Sequence, residues 1–206
     1  MTDAISVPVV ADADTLFGGT TRALLIHLDY EGLIELRWSA DILSEMSRAL
    51  VRSGRRRDLA HAHQNEVLMR LSLPEAEVNA EDIQRELIGA KHAVRSMKDA
   101  HVAACAMALV PRESEDVVHL LTKNLKDFRR LALRRVGIDL QHPDGFLSAL
   151  FVDHSAGFLR AFNAYRRALR SGEPAALTLS RLALDGQEIT ACQLAICMEV
   201  DGNSPL

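Results

Sequence analysis

The chain has 206 residues, 48% of them hydrophobic, which suffices for one sizeable domain with an appendage or two small domains sharing a surface. Only 4% are aromatic while Leu and Ala dominate, so helix packing is expected to supply most of the burial. A formal net charge of -4 excludes a global field that draws in nucleic acid, so any such binding has to rest on local basic clusters.

Met1 to Pro8 lacks a basic region followed by a long apolar core, and no later segment reaches the roughly eighteen uninterrupted apolar residues of a membrane helix. A soluble, cytoplasmic protein without a membrane partner is the expectation. Val7-Pro8-Val9-Val10-Ala11 is an apolar run that stops at Asp12-Ala13-Asp14, the pattern of a buried strand ending in carboxylates. After a Gly18-Gly19 turn, helical spacing predicts a helix over Thr20 to Tyr30, stopped by Gly32, and then a strand over Leu33 to Trp38. Ser39 is a good N-cap for a helix that turns Ile42, Leu43, Met46, Ala49 and Leu50 inward, ends near Ser53-Gly54 and carries Glu45 at its middle.

Residues from about Arg55 to His92 read as helical with a break at Pro74. A small-residue helix follows over Ala100 to Leu109, with Asp99 in its first turn. Asp116 to Thr122 is a second apolar run ending in polar residues, Lys123-Asn124-Leu125-Lys126-Asp127-Phe128, so the order of strand and then acid occurs twice. A helix near Phe128 to Arg135, Gly137 and a short strand near Ile138 to Gln141 complete a β/α alternation, which predicts a mainly parallel sheet covered by helices. Beyond Pro143 no strand is expected, and Phe146 to Ala168, Ala175 to Leu184 and Glu188 to Glu199 read as three helices, with residues 201–205 frayed. The division is therefore a domain over 1–143 and a helical C-terminal extension over 144–206.

In open parallel sheets ligands bind at the carboxyl ends of strands, where this chain delivers Asp12, Asp14 and Asp127. Carboxylates sharing a cleft repel unless a hard cation neutralises them, and oxygen donors select Mg²⁺ or Mn²⁺ over Zn²⁺. Such an ion lowers the pKa of bound water and stabilises charge on a phosphodiester, which is nuclease chemistry. Cys105, Cys192 and Cys197 contain no CxxC pair and read as reduced, mostly buried thiols, and the eight histidines show no ligand spacing.

Four segments match one family pattern in order and spacing: Val9-Val10-Ala11-Asp12-Ala13-Asp14-Thr15-Leu16, Glu45 on its helix, Asp99-Ala100-His101-Val102-Ala103-Ala104-Cys105-Ala106, and Thr122-Lys123-Asn124-Leu125-Lys126-Asp127-Phe128. Over residues 7–147 the chain resembles PIN-domain nucleases, including VapC-type toxins of toxin–antitoxin systems. That resemblance implies a three-layer α/β/α fold, Mg²⁺-dependent endoribonuclease activity, an antitoxin protein as partner and a homodimer. By position it implies that Asp12, Glu45, Asp99 and Asp127 hold metal, that Thr122 is the family's hydroxyl, and that Asp14 orients its neighbours. Asn124 stands where many members carry an acid, and Ala100 where an Arg is frequent.

Taken singly, each acid has an ordinary structural explanation: Asp12 and Asp14 as loop-solvating groups, Glu45 as a helix residue paired with Arg48, and Asp99 as a helix N-terminal acid. Arg55, Arg56, Lys123, Lys126, Arg129 and Arg130 are candidate RNA contacts beside the acids, or else solvated helix faces. Besides the endoribonuclease, two other functions fit the residues: a catalytically weak PIN-like module that binds RNA or protein, and a nuclease directed at DNA.

Overall fold

The computed structural model describes residues 6–110, 117–169 and 171–202. The chain is an α/β protein in which a four-stranded, all-parallel sheet is outweighed by eleven α-helices among the described residues. The strands are β1 (Val7–Ala11), β2 (Ile34–Arg37), β3 (Val118–Leu121) and β4 (Ile138–Gln141), ordered β2-β1-β3-β4. The chain leaves β1 towards one edge and returns to β3 on its other side, so the order reverses between β1 and β3. That reversal opens a crevice at the carboxyl ends of these two strands. Register fixes what faces it: Ala11 lies opposite Leu121, so the next residues, Asp12 and Thr122, emerge side by side.

The helices before β3 are α1 (Ala13–Phe17), α2 (Gly19–Tyr30), α3 (Ala40–Arg52), α4 (Leu59–Ser72), α5 (Ala80–Ala90) and α6 (Ala100–Met107). Local chemistry sets their ends. Ser39 accepts from the Ile42 amide at 3.1 Å and Asp58 from the His61 amide at 2.9 Å, each satisfying an otherwise orphaned first-turn N–H. Gly32, at φ +73°, makes the left-handed turn out of α2 that a side chain would resist. The Gly18-Gly19 pair is no free turn, because Gly18 caps α2 and Gly19 begins it. The stretch expected to be helical over 55–92 with one break is two helices, joined by a segment whose Trp38–Glu77 bridge lies beside β2. Five residues of α1 were not anticipated, since a single turn carries no periodic signal.

Beyond β3 come α7 (Arg130–Arg134), α8 (Pro143–Asp153), α9 (Ser155–Ala168), α10 (Ala175–Leu184) and α11 (Glu188–Gly202). Phe128 lies outside α7 because it is extended and bridged to Val94. The helix expected over Phe146 to Ala168 is two, broken at His154 with φ -133° and ψ 42°. The break lets α9 lie against α2 and brings Phe158 into edge contact with Phe151 at 5.4 Å. Asp116, Asn203, Ser204 and Pro205, read above as strand start and frayed end, lie outside the described residues, while α11 continues through Gly202.

One contiguous apolar core runs from the strands through α2, α3 and α6 to Phe158, Phe162, Leu182 and Leu194 of the C-terminal helices. Two buried acids tie those helices down. Asp144 accepts from the Ile189 and Thr190 amides, both at 2.9 Å, and so caps α11. Asp185 accepts from the Thr20 and Thr21 amides at 2.8 and 3.1 Å and so caps α2 from far along the chain. A Cβ at Gly18 would come within 2.7 Å of the Asp185 carboxyl, so only glycine permits this approach. Of the thiols, Cys105 alone is buried, which pushes it up to about 12, whereas Cys192 is exposed and Cys197 half-buried. Among the described residues no helix is long and apolar enough to cross a membrane.

Candidate active site

Asp12 follows β1 and serves as N-cap of α1, and its carboxyl meets Thr122 just past the end of β3. One oxygen accepts from the Ala13 amide at 2.6 Å and the other from Thr122 Oγ1 at 2.9 Å. The Thr122 hydroxyl also lies 3.2 Å from Asp14 Oδ2 and accepts from the Asn124 amide at 3.1 Å. Its one proton is thus shared between two carboxylates while its lone pair holds the loop after β3. Asp14 receives the Lys123 amide on both oxygens, at 3.1 and 3.0 Å. A residue that sequence reading missed, Thr15, donates to the Leu121 carbonyl at 3.0 Å and fastens α1 to the end of β3.

The other acids arrive from three separate segments. Glu45 stands half-exposed on α3, Asp99 closes a 3₁₀ turn over Met97–Asp99, and Asp127 closes another over Leu125–Asp127. Asp99 occupies the N-cap position of α6 without any side-chain capping bond, so capping does not account for it. The Asn124 amide group donates to Asp127 Oδ2. The arrangement is electrostatically one body. Burial first, then Asp14 and Glu45, push Asp12 up to about 7, partly offset by the Thr122 and Ala13 hydrogen bonds. Burial, then Asp127 and Glu45, raise Asp99 above the usual carboxylate range. Glu45 therefore joins the Asp12 side to the Asp99 side.

The expected Glu45–Arg48 pair is not among the ion pairs of the described residues; Glu45 faces His101 instead, its Oε2 3.4 Å from Nε2. The His101 Nδ1 lies 2.7 Å from the Lys98 carbonyl, which can only accept, so Nδ1 carries the hydrogen. The buried Nε2 faces Glu45 and has no hydrogen-bond partner among the described residues. The donor set of four carboxylates and one imidazole edge suits a hard divalent cation. In this conformation no three Asp, Glu, His or Cys side chains among the described residues converge closely enough to hold an ion jointly, so binding requires side chains such as the half-exposed Glu45 to swing inward.

The candidate RNA contacts divide. Arg55 stacks over Phe17 at 4.3 Å and lies 4.0 Å from Asp185, Arg56 donates to Asn65 at 3.2 Å, and Lys123 Nζ donates to the Asp185 carbonyl at 2.5 Å. These three are engaged by the protein. Lys126, Arg129 and Arg130 are exposed, and among the described residues only Arg130 has a protein acceptor, the Leu140 carbonyl at 2.9 Å. Comparison with protein-family models, with curated proteins and with solved structures finds no match to this chain.

Proposed function

We propose that the chain is a divalent-metal-dependent endoribonuclease of PIN-like fold, acting as the toxin of a toxin–antitoxin pair. The observation that carries this reading is the buried Asp12 at the reversal of strand order, with Asp14 and Glu45 raising its carboxyl and Asp127 and Glu45 raising Asp99, and with no Lys or Arg paired to any of these acids among the described residues. An acid that only solvated a loop would not be buried as Asp12 is, with further carboxylates raising the cost of its charge.

When bound, Mg²⁺ or Mn²⁺ would supply a water of lowered pKa and stabilise charge on the phosphodiester. Asp12, Glu45, Asp99 and Asp127 would hold it. Thr122 keeps the Asp12 carboxyl turned towards the crevice, and Asp14 holds the loop after β3 through the Lys123 amide. His101 Nε2 stands 3.4 Å from Glu45 Oε2. The toxin assignment, with its antitoxin partner and homodimer, rests on the motif resemblance alone.

A second reading, a PIN-like module that binds RNA or protein without cutting, is favoured by the Asn124–Asp127 hydrogen bond, which occupies one acidic oxygen. Cleavage of purified total RNA by wild type, Asp12→Asn and Asp99→Asn, with Mg²⁺, Mn²⁺ or EDTA, separates them. Discrete products from metal-loaded wild type alone are expected. Equal cleavage by all three proteins, or none from folded wild type, refutes the nuclease, and cleavage of DNA but not RNA redirects it to the other backbone.

A further inference from the structure

The segment that carries Asp127 also forms a basic groove. Arg95, Lys126, Arg129 and Arg130 line a depression of about 510 Å³, together with Leu125, Phe128 and Leu131. Arg95 comes from the turn before α6, Lys126 and Arg129 from the segment after β3 and Arg130 from the start of α7, so the cluster is not visible as a run in sequence. Its floor is fixed by the backbone. The Arg95 amide donates to the Asp127 carbonyl at 2.7 Å, the Arg129 amide donates to the Ala93 carbonyl at 2.7 Å, and Val94 bridges Phe128. The same hydrogen bonds join the groove to Asp127, whose charge is felt at Asp99.

All four cations are exposed, and none is paired with a carboxylate among the described residues. Acids and bases therefore lie side by side without neutralising one another, the acids in the crevice and the bases in the groove. Surface cations that served stability would be interspersed with acids. Four like charges on a rigid floor repel, and a polyanion relieves that repulsion. The groove offers no stacking platform, since its one aromatic ring, Phe128, is buried, and the exposed Leu131 has no donor or acceptor to read a base edge.

Resting on the reading of the acids as the cutting centre, we infer that this groove binds the phosphate backbone of a single polynucleotide strand, leading it to the acids without regard to base or sugar. A strand lying there places successive phosphates against Arg95, Lys126, Arg129 and Arg130 while the next reaches the crevice.

The test is fluorescence-anisotropy binding of a labelled single-stranded RNA, and of DNA of the same sequence, to the full Asp12→Asn chain in EDTA, where the strand stays intact. Salt is varied between about 50 and 200 mM. With about 0.7 counterions released per phosphate contact on a single strand, removing two contacts in Arg95→Ala/Arg129→Ala should flatten the log–log salt slope by about 1.4. RNA and DNA should show the same change, inorganic phosphate at matched ionic strength should not compete, and an unchanged melting curve would show the variant is folded. An unchanged slope, failure of DNA to bind, or displacement by inorganic phosphate would overturn the groove as a strand site. Strand binding with the expected slope alongside no metal-dependent cleavage by wild type would instead sink the nuclease reading and leave the groove standing. Cleavage with an unaltered slope does the reverse.

Discussion

Replacing Asp12 with Asn should stabilise the metal-free protein. The Asp12 carboxyl is raised from 3.8 to about 7, chiefly by burial and then by Asp14 and Glu45, so the folded state holds a proton that the unfolded state has released. Below about pH 4 both states are protonated and the group contributes nothing. As pH rises towards 7 the folded state must either keep that proton or bury a repelled charge, so stability is lost progressively, and above about 7 the full penalty is present. Three units at 1.36 kcal/mol each set an upper bound of about 4 kcal/mol. At about 2–4 °C per kcal/mol for a chain of this size, the gain in Tm for Asp12→Asn at pH 8 would be several degrees and at most about 15 °C. The amide can still accept from the Ala13 N–H, so the α1 cap survives the exchange.

The assay is thermal unfolding in EDTA from pH 4 to 8.5. The Asp12→Asn advantage should be near zero at pH 4 and grow up to pH 7. Saturating Mn²⁺ should narrow or reverse the gap, because wild type then gains about 2.7 kcal/mol at a hundredfold excess over Kd and the variant does not. A variant that is less stable than wild type in EDTA, by an amount greater at pH 8 than at pH 4, would refute the reasoning.

Thr122→Val removes the hydroxyl that holds Asp12 ionised, so Asp12 should titrate higher still, and Mn²⁺ affinity measured by calorimetry at pH 7 should fall about ten- to a hundredfold. Phe158→Ala, at a fully buried ring packed on Phe151, should cost about 3–5 kcal/mol in denaturant unfolding. A single cooperative transition is expected, because the C-terminal helices share the core of the sheet. Asp185→Ala removes the cap on α2 and should cost about 1–2 kcal/mol while leaving metal-dependent RNA cleavage within twofold, since Asp185 lies outside the carboxylate field.

The elements that place the site were largely legible because their signals are local. An apolar run that breaks at an acid marked the ends of β1 and β3, and Ser39 with its inward stripe marked α3 and so the position of Glu45. Alternation of strand and helix pointed to a parallel sheet, and the observed order β2-β1-β3-β4 brings Asp12 beside Thr122. What escaped sequence reading depends on contacts between distant residues. His101 showed no ligand spacing, because nothing local in sequence brings α6 to Glu45. Lys123 looked free for RNA, yet its ammonium is taken by a carbonyl 62 residues on. Asp185 gave no sign that it would cap α2, and His154 none that it would break a helix, since both act through tertiary packing. Arg95 belongs to the basic groove only because the turns at 93–95 and 127–129 are bonded together.

Direct titration with Mn²⁺, followed by the loss of the free-ion electron paramagnetic resonance signal, tests the central claim without any need for the right RNA. Wild type should bind the ion near neutral pH, Asp99→Asn and Asp12→Asn should lose at least tenfold in affinity, and Asp185→Ala should bind as wild type does. Folded wild type that leaves the Mn²⁺ signal unchanged, or binds it no better than the two Asn variants, would contradict the account of these acids as a metal centre.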